Sequence, residues 1–212
     1  MTRERGRPFA TTHDAIVEAA FDLFRDVGFA ETTMPMIAER AGIGRSTLFR
    51  YFSNRAAILW YTLGEVTEDL RANLAGQPAD ADLVDGAFAA YREIWTRRAD
   101  LTPIGREIVR TLETAPPELT GKWAAYATAQ ELFHRYVLDR TGLPEQDTAA
   151  RAAAAAIWAA IWAAATSYAL SEGEPIEAHL DRARAAIEIR LPTLGEREAR
   201  PVRAEAARRP RP

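Results

Sequence analysis

Cysteine is absent from this chain, histidine occurs three times, and Lys122 is the single lysine against 26 arginines. Without cysteine there can be no disulfide, no thiolate zinc site and no cysteine nucleophile. His13, His134 and His179 fall on separate expected helices with none of the spacings that hold a metal, so no metal site or cofactor is expected. No glycine-rich loop suits a phosphate and no serine sits on a nucleophile elbow. The N-terminal MTRERGRPFATTHD has no apolar core of the kind a secretory signal needs, and the expected location is cytoplasmic. Alternating strand patterns and short-period repeats are missing too. An enzyme is therefore not expected, and acidic residues such as Glu65, Glu68 and Asp69 read as a solvated helix face.

What is present is concentrated in Thr32–Arg55, TTMPMIAERAGIGRSTLFRYFSNR. Thr33 has the hydroxyl of a good N-cap, and Pro35 fits a first helical turn, where its missing N–H would be unpaired anyway. Met34, Ile37, Ala38 and Ala41 recur with helical spacing and give one apolar face. Gly42 can take the left-handed conformation that ends a helix. Ile43 turns back to the core, and a new helix begins at Gly44. On that helix Leu48 and Phe52 point inward, and Arg45, Ser46, Thr47 and Arg50 point outward. Helix, sharp turn and helix with exposed arginine and hydroxyl groups is what a helix-turn-helix needs to present side chains to base edges in the major groove.

An upstream helix completes the unit. Thr11 or Thr12 can cap it, while Ile16, Ala19, Ala20, Leu23, Phe24 and Val27 form its buried stripe. Gly28 ends it and Phe29 folds back as an anchor. A plain three-helix bundle would account for these apolar stripes, but not for the outward set between Arg45 and Arg55, which buries nothing.

Thr32-Thr33, Ile37-Ala38 and GIGRSTLFRYFSNR together resemble the N-terminal domain of the TetR family of transcriptional regulators, over about residues 10–60. The resemblance implies that Arg45, Ser46 and Thr47 face the groove, with Arg50 beside them and Thr33 and Tyr51 in the same DNA-binding set. Phe49 stands where the family commonly has a phosphate-touching tyrosine; without the hydroxyl it can pack on the sugar-phosphate edge but cannot hydrogen-bond. Arg55 stands where many members carry a phosphate-gripping lysine, and arginine can grip bidentately. Asn54 would cap the helix that follows. Gly44 departs from the serine-like cap frequent at that position.

The net charge of −3 looks wrong for a DNA binder until it is divided along the chain. Residues 1–60 carry 8 arginines and 7 acids, net +1; residues 61–194 are net −7; residues 195–212 are net +3. Arg3, Arg5 and Arg7 form a basic arm that can track phosphate or enter the minor groove, or is simply an ordinary terminus. So modest a positive charge leaves much of the binding strength to dimerisation.

Beyond Asn54 the spacing predicts helices over Asn54–Leu74, Asp82–Arg98, Pro103–Thr114, Pro117–Thr141, Glu145–Ser171 and Pro175–Arg190, separated by Pro/Gly punctuation. After Leu191 the Pro/Arg-rich sequence reads as a disordered tail. The uncharged stretch Ala152–Leu170 has 11 alanines in 19 residues. Its length would span a bilayer, but a buried or dimer-forming helix is the favoured reading and no membrane partner is expected. The TetR resemblance implies that the last two long helices pair with those of a second subunit in a four-helix bundle.

Aromatic residues crowd this middle segment. Tyr91, Trp95, Trp123, Tyr126, Trp158 and Trp162, with Ile108, are candidates for the wall of a pocket for a hydrophobic ligand; Phe133 and Tyr168 belong to the same population. Ordinary core packing is the competing account of each. Arg106 and Arg110 lie one turn apart and can meet an anionic head group or form surface ion pairs, the second being favoured. The stretch REIVRTLETAPPEL resembles regulators of the mycofactocin-system type, whose C-terminal domain takes an acyl-CoA-like ligand.

The expected protein is thus all-α. Residues 1–53 form the helix-turn-helix domain with its basic arm, residues 54–194 the helical ligand-binding and dimerisation bundle, and residues 195–212 the tail. The expected function is that of a homodimeric transcriptional regulator, a repressor that binds a palindromic double-stranded DNA operator and is released by a hydrophobic small molecule with an acyl-CoA-like ligand as one candidate. The alternative is a hydrophobic-ligand carrier that does not bind DNA.

Overall fold

The computed structural model describes residues 13–97, 102–114, 121–171 and 173–189. Among these residues there are nine helices and no strand: α1 (His13–Val27), α2 (Met34–Arg40), α3 (Arg45–Tyr51), α4 (Arg55–Ala75), α5 (Leu83–Arg97), α6 (Thr102–Thr114), α7 (Lys122–Thr141), α8 (Thr148–Leu170) and α9 (Ile176–Ala185). The basic arm, the first-helix caps Thr11 and Thr12, the start of the helix expected at Pro117 and the C-terminal tail lie outside the described residues.

Local signals set the first four boundaries. Gly28 adopts φ +89°, and Thr32 donates its hydroxyl to the Gly28 carbonyl at 2.8 Å, closing the turn between α1 and α2. The Thr33 hydroxyl accepts from the Met36 amide, and Pro35 sits in the first turn. Gly42 takes φ +67°, and the Ile43 amide reaches back to the Ala38 carbonyl at 2.9 Å, which satisfies a carbonyl that the helix end would leave open. Asn54 caps α4 by accepting from the Ala57 amide at 2.9 Å.

Two apolar cores result. The head core gathers Ile16, Phe21, Phe24, Ile37 and Leu48 from α1–α3 with Ile58 and Leu59 of α4, and it also takes in Ile108 and Leu112 of α6. The body core is built on α8, whose Ala153, Ala154, Ile157, Trp158 and Ile161 meet Phe88, Phe133, Val137 and Leu180. α8 packs on α6, α7 and α9, its small side chains permitting close approach. By length and composition it could cross a bilayer, yet half of that span is buried in the body.

Three expectations are corrected. Val27 is 44% exposed instead of completing the α1 stripe, because the chain turns at Gly28 and carries the last turn past the core. α8 begins after Asp147, whose carboxylate accepts from the amides of Ala149 and Ala150, and not at Glu145. α9 ends at Ala185, short of Arg190. Arg184 donates to the Ile187 carbonyl at 3.2 Å, and Ile187 and Ile189 leave the helix to pack against the body core.

Candidate nucleic-acid interface and ligand cavity

The recognition helix α3 is anchored by one completely buried residue, Leu48, with Phe52 buried at its C-terminal end. That leaves its other faces open. Arg45, Ser46, Phe49 and Arg50 are exposed and Thr47 is half-buried, so four of the expected DNA-facing side chains share the solvent side of one two-turn helix. Phe49 is 53% exposed, and no core contact explains it. Gly44 supplies no side-chain cap, as its lack of a side chain dictates.

The remaining members of the set are placed differently. Thr33 is exposed, but its hydroxyl already caps α2. Tyr51 is half-buried, with His13 edge-on at 5.0 Å and the Arg50 guanidinium 5.5 Å from its ring centroid. Arg55 donates from Nη1 to the Thr32 carbonyl at 2.9 Å and lies over the Phe29 ring at 4.9 Å. It braces α4 against the α1–α2 turn, leaving only its remaining N–H groups for a phosphate. His13 itself was missed by sequence reading. It stacks on Tyr61 at 5.0 Å and meets Tyr51 and Phe52 edge-on, joining the starts of α1 and α4 to the end of α3. Nothing in the local spacing around His13 signals partners some forty residues away. Exposed ion pairs from Arg40 to Asp22 and Asp26 tie α2 to α1.

A cavity of about 400 Å³ lies in the body. Six of the seven expected ligand residues line it: Tyr91, Trp95, Ile108, Tyr126, Trp158 and Trp162. The side chain of Trp123 lies outside the described residues. Phe133 and Tyr168 do not line the cavity but support those that do. Phe133 stacks on Trp158 at 5.7 Å, and Tyr168 meets Trp95 edge-on at 5.4 Å. Sequence reading missed the α4 wall, including Val66 and Leu70, because aliphatic residues on a helix look the same whether they fill a core or border a hole. It also missed Gly105, where a Cβ would stand 2.9 Å from the Trp95 ring. The glycine is what lets α6 approach that indole.

The charged residues around this cavity differ from the expectation. Arg106 donates to the carbonyls of Tyr168 (3.1 Å) and Ser171 (2.9 Å) and lies over the Tyr168 ring at 4.3 Å. Arg110 donates to the Ala169 carbonyl at 3.1 Å, while also pairing with Glu107 at 3.5 Å. The two arginines therefore cap the C-terminus of α8, where open carbonyls and the helix dipole favour cations. Among the described residues an ion pair is seen for Arg110, with Glu107. Glu107 is buried between α6 and the head. Burial raises its carboxyl above the ordinary range, and Arg110, Arg25 and Thr111 partly offset this. Burial likewise raises the Tyr91 hydroxyl, so it stays protonated. Glu113 accepts from the Trp162 indole at 3.1 Å. No cluster of metal-ligating side chains occurs among the described residues.

Residues 16–60 match the family described as bacterial regulatory proteins, tetR family. The mycofactocin-biosynthesis regulator MftR of Mycobacterium tuberculosis is 30% identical over 137 residues, covering 65% of this chain and 69% of MftR. Among solved structures, the fatty acid degradation regulator FadR of Bacillus halodurans superposes with a TM-score of 0.64 at 16% identity, covering 86% of this chain and 95% of its own. The Bacillus subtilis FadR, solved with stearoyl-CoA, gives 0.61 at 15% identity, with 84% and 100% covered. The chain belongs to the TetR family: it is a helix-turn-helix, DNA-binding transcriptional regulator and not an enzyme.

Proposed function

We propose that this regulator is a homodimeric repressor, that it binds a palindromic operator through paired α3 helices, and that a hydrophobic small molecule entering the body cavity releases it. One observation carries the coupling. Ile108 and Leu112 of α6 line the cavity and at the same time belong to the head core. An occupant that displaces them must repack the head, so occupancy and head orientation share a free energy.

The groove-reading residues in this proposal are Arg45, Ser46, Thr47 and Arg50, with Phe49 against the backbone and Thr33, Tyr51 and Arg55 supporting them. A twofold dimer would set its two α3 helices roughly 34–36 Å apart, one turn of duplex. The second copy has a face to meet: Ala152, Ala156, Ala159 and Ala163 form an exposed row along α8. The division into a head of residues 1–53, a body of 54–194 and a tail of 195–212 belongs to the same proposal, as does a cytoplasmic location beside the DNA. For the effector, the Bacillus subtilis FadR of like fold was solved with stearoyl-CoA, and the largely apolar lining of the cavity here supports an apolar body as the part that enters it.

The test is fluorescence anisotropy of the full chain on duplex from upstream of its own gene, against random duplex, over a range of salt. Preferential, salt-sensitive binding with a stoichiometry of two chains per site is the expected result. A folded chain that holds apolar ligands and shows no attachment to any duplex would replace the proposal with the carrier reading, which the uncapped Gly44 and the hydroxyl-free Phe49 favour.

A further inference from the structure

We infer that the cavity selects its occupant by charge, taking a cationic group on an apolar body and disfavouring an anionic one. This rests on the cavity being the effector site and narrows what enters it. The cation's seat is the corner at Trp162, which holds Glu113 through its indole N–H and neighbours the rings of Trp158 and Tyr126. Trp158 and Trp162 lie 5.4 Å apart and are tilted by 46°, and Tyr126 stands 5.5 Å from the first and 6.3 Å edge-on to the second. Three electron-rich rings around one point attract a positive charge through their quadrupoles. Glu113, an exposed carboxyl side chain at the cavity edge, is held at the same corner by the Trp162 indole N–H, and no basic side chain among the described residues pairs with it.

An anion finds the opposite conditions. Among the described residues lining the cavity there is no arginine, lysine or histidine. The two arginines on the wall helix, Arg106 and Arg110, do not line the cavity: each directs its Nη2 to carbonyls at the end of α8, and Arg110 also pairs with Glu107. A carboxylate or phosphate drawn into the rings would lose water without gaining a counter-charge, and would approach Glu113. At longer range the segment 61–194, net −7, draws cations and repels anions.

The experiment is calorimetric titration of the full chain with four probes sharing one ten-carbon tail: decyltrimethylammonium, decanol, decanoate and decanoyl-CoA, each below its micelle concentration. The expected order is ammonium tighter than alcohol by about tenfold, with both anions weaker than the alcohol. Glu113→Gln should weaken decyltrimethylammonium about fivefold and leave decanol unchanged. Tighter binding of decanoate or decanoyl-CoA than of the ammonium probe overturns the inference while leaving the cavity as effector site. Equal weakening of ammonium and alcohol in Glu113→Gln also overturns it, since the residue would then act through shape alone. If none of the four binds, the effector-site reading falls and the charge selection falls with it.

Discussion

The head and the body solve the same packing problem with different materials. The head core is filled by large side chains, Phe21, Phe24, Ile37 and Leu48 among them, nearly all without exposure. The body is organised around α8, where Ala150, Ala153, Ala154, Ala164, Ala165 and Ala169 are buried and bulk comes from a few rings. Alanine brings helices close but fills little volume, so the rings of α5, α7 and α8 close around a hole. A close-packed unit transmits force, and one with a void can change shape at low cost. That difference suits the proposed division of labour, in which the head presents fixed side chains and the body accepts a guest.

Truncations should separate the two halves most widely. Phe24→Ala, in the filled head, should cost about 3–5 kcal/mol in urea unfolding, because the cavity it creates cannot collapse. Tyr126→Ala, on the rim of an existing void, should cost well under half of that; equal losses would mean the body is packed as tightly as the head. Gly105→Ala is the next largest effect. Its Cβ would press on Trp95, and overpacking of this kind costs about 1–3 kcal/mol. Adding Trp95→Phe should recover stability beyond the single variant, since alanine is otherwise the better helix former. If the double variant is no better, the indole is not the obstacle.

A binding difference of similar or smaller size is expected on the DNA side. Arg45→Ala should reduce operator preference by about 1–3 kcal/mol while leaving ligand uptake by the body unchanged. An unaltered ratio of operator to random-duplex affinity would remove Arg45 from base reading. The smallest effect concerns Glu107 at the junction. Its carboxyl is raised above the ordinary 4.5 chiefly by burial, so in the folded state the charged form is disfavoured. The favourable contribution is complete at pH below the unfolded value and is lost as pH rises through the raised one. Glu107→Gln should therefore be relatively more stable toward neutral pH, and thermal melts across the acid range would read it. A variant whose deficit or gain is flat with pH would rule out titration at this position.

How much was legible in the sequence follows the range of the interactions. Thr33, Pro35, Gly42 and Asn54 each act within four residues, and the helices they bound appear where their spacing placed them. The aromatic candidates for the cavity were readable as a population, because large rings stand out in a helical segment of small residues. The rings chosen as wall candidates, Tyr91, Trp95, Tyr126, Trp158 and Trp162, do line the void, and Phe133 and Tyr168, named only as part of the same population, buttress others. Arg106 and Arg110 illustrate the limit. Their partners are carbonyls about sixty residues away, at a helix end whose position depends on how α8 crosses α6. The same holds for His13, which meets rings on two other helices.

Ile108 and Leu112 also bear on how such regulators can be recombined. A head transplanted with its borders drawn at Asn54 would arrive lacking these two buried side chains and also Ile58 and Leu59 of α4, and would depend on whatever the recipient's fourth and sixth helices offer instead. Chimeras that carry the matching faces of those helices along with the head should keep both folding and the proposed response, whereas those that do not inherit a mismatched seam between head and body.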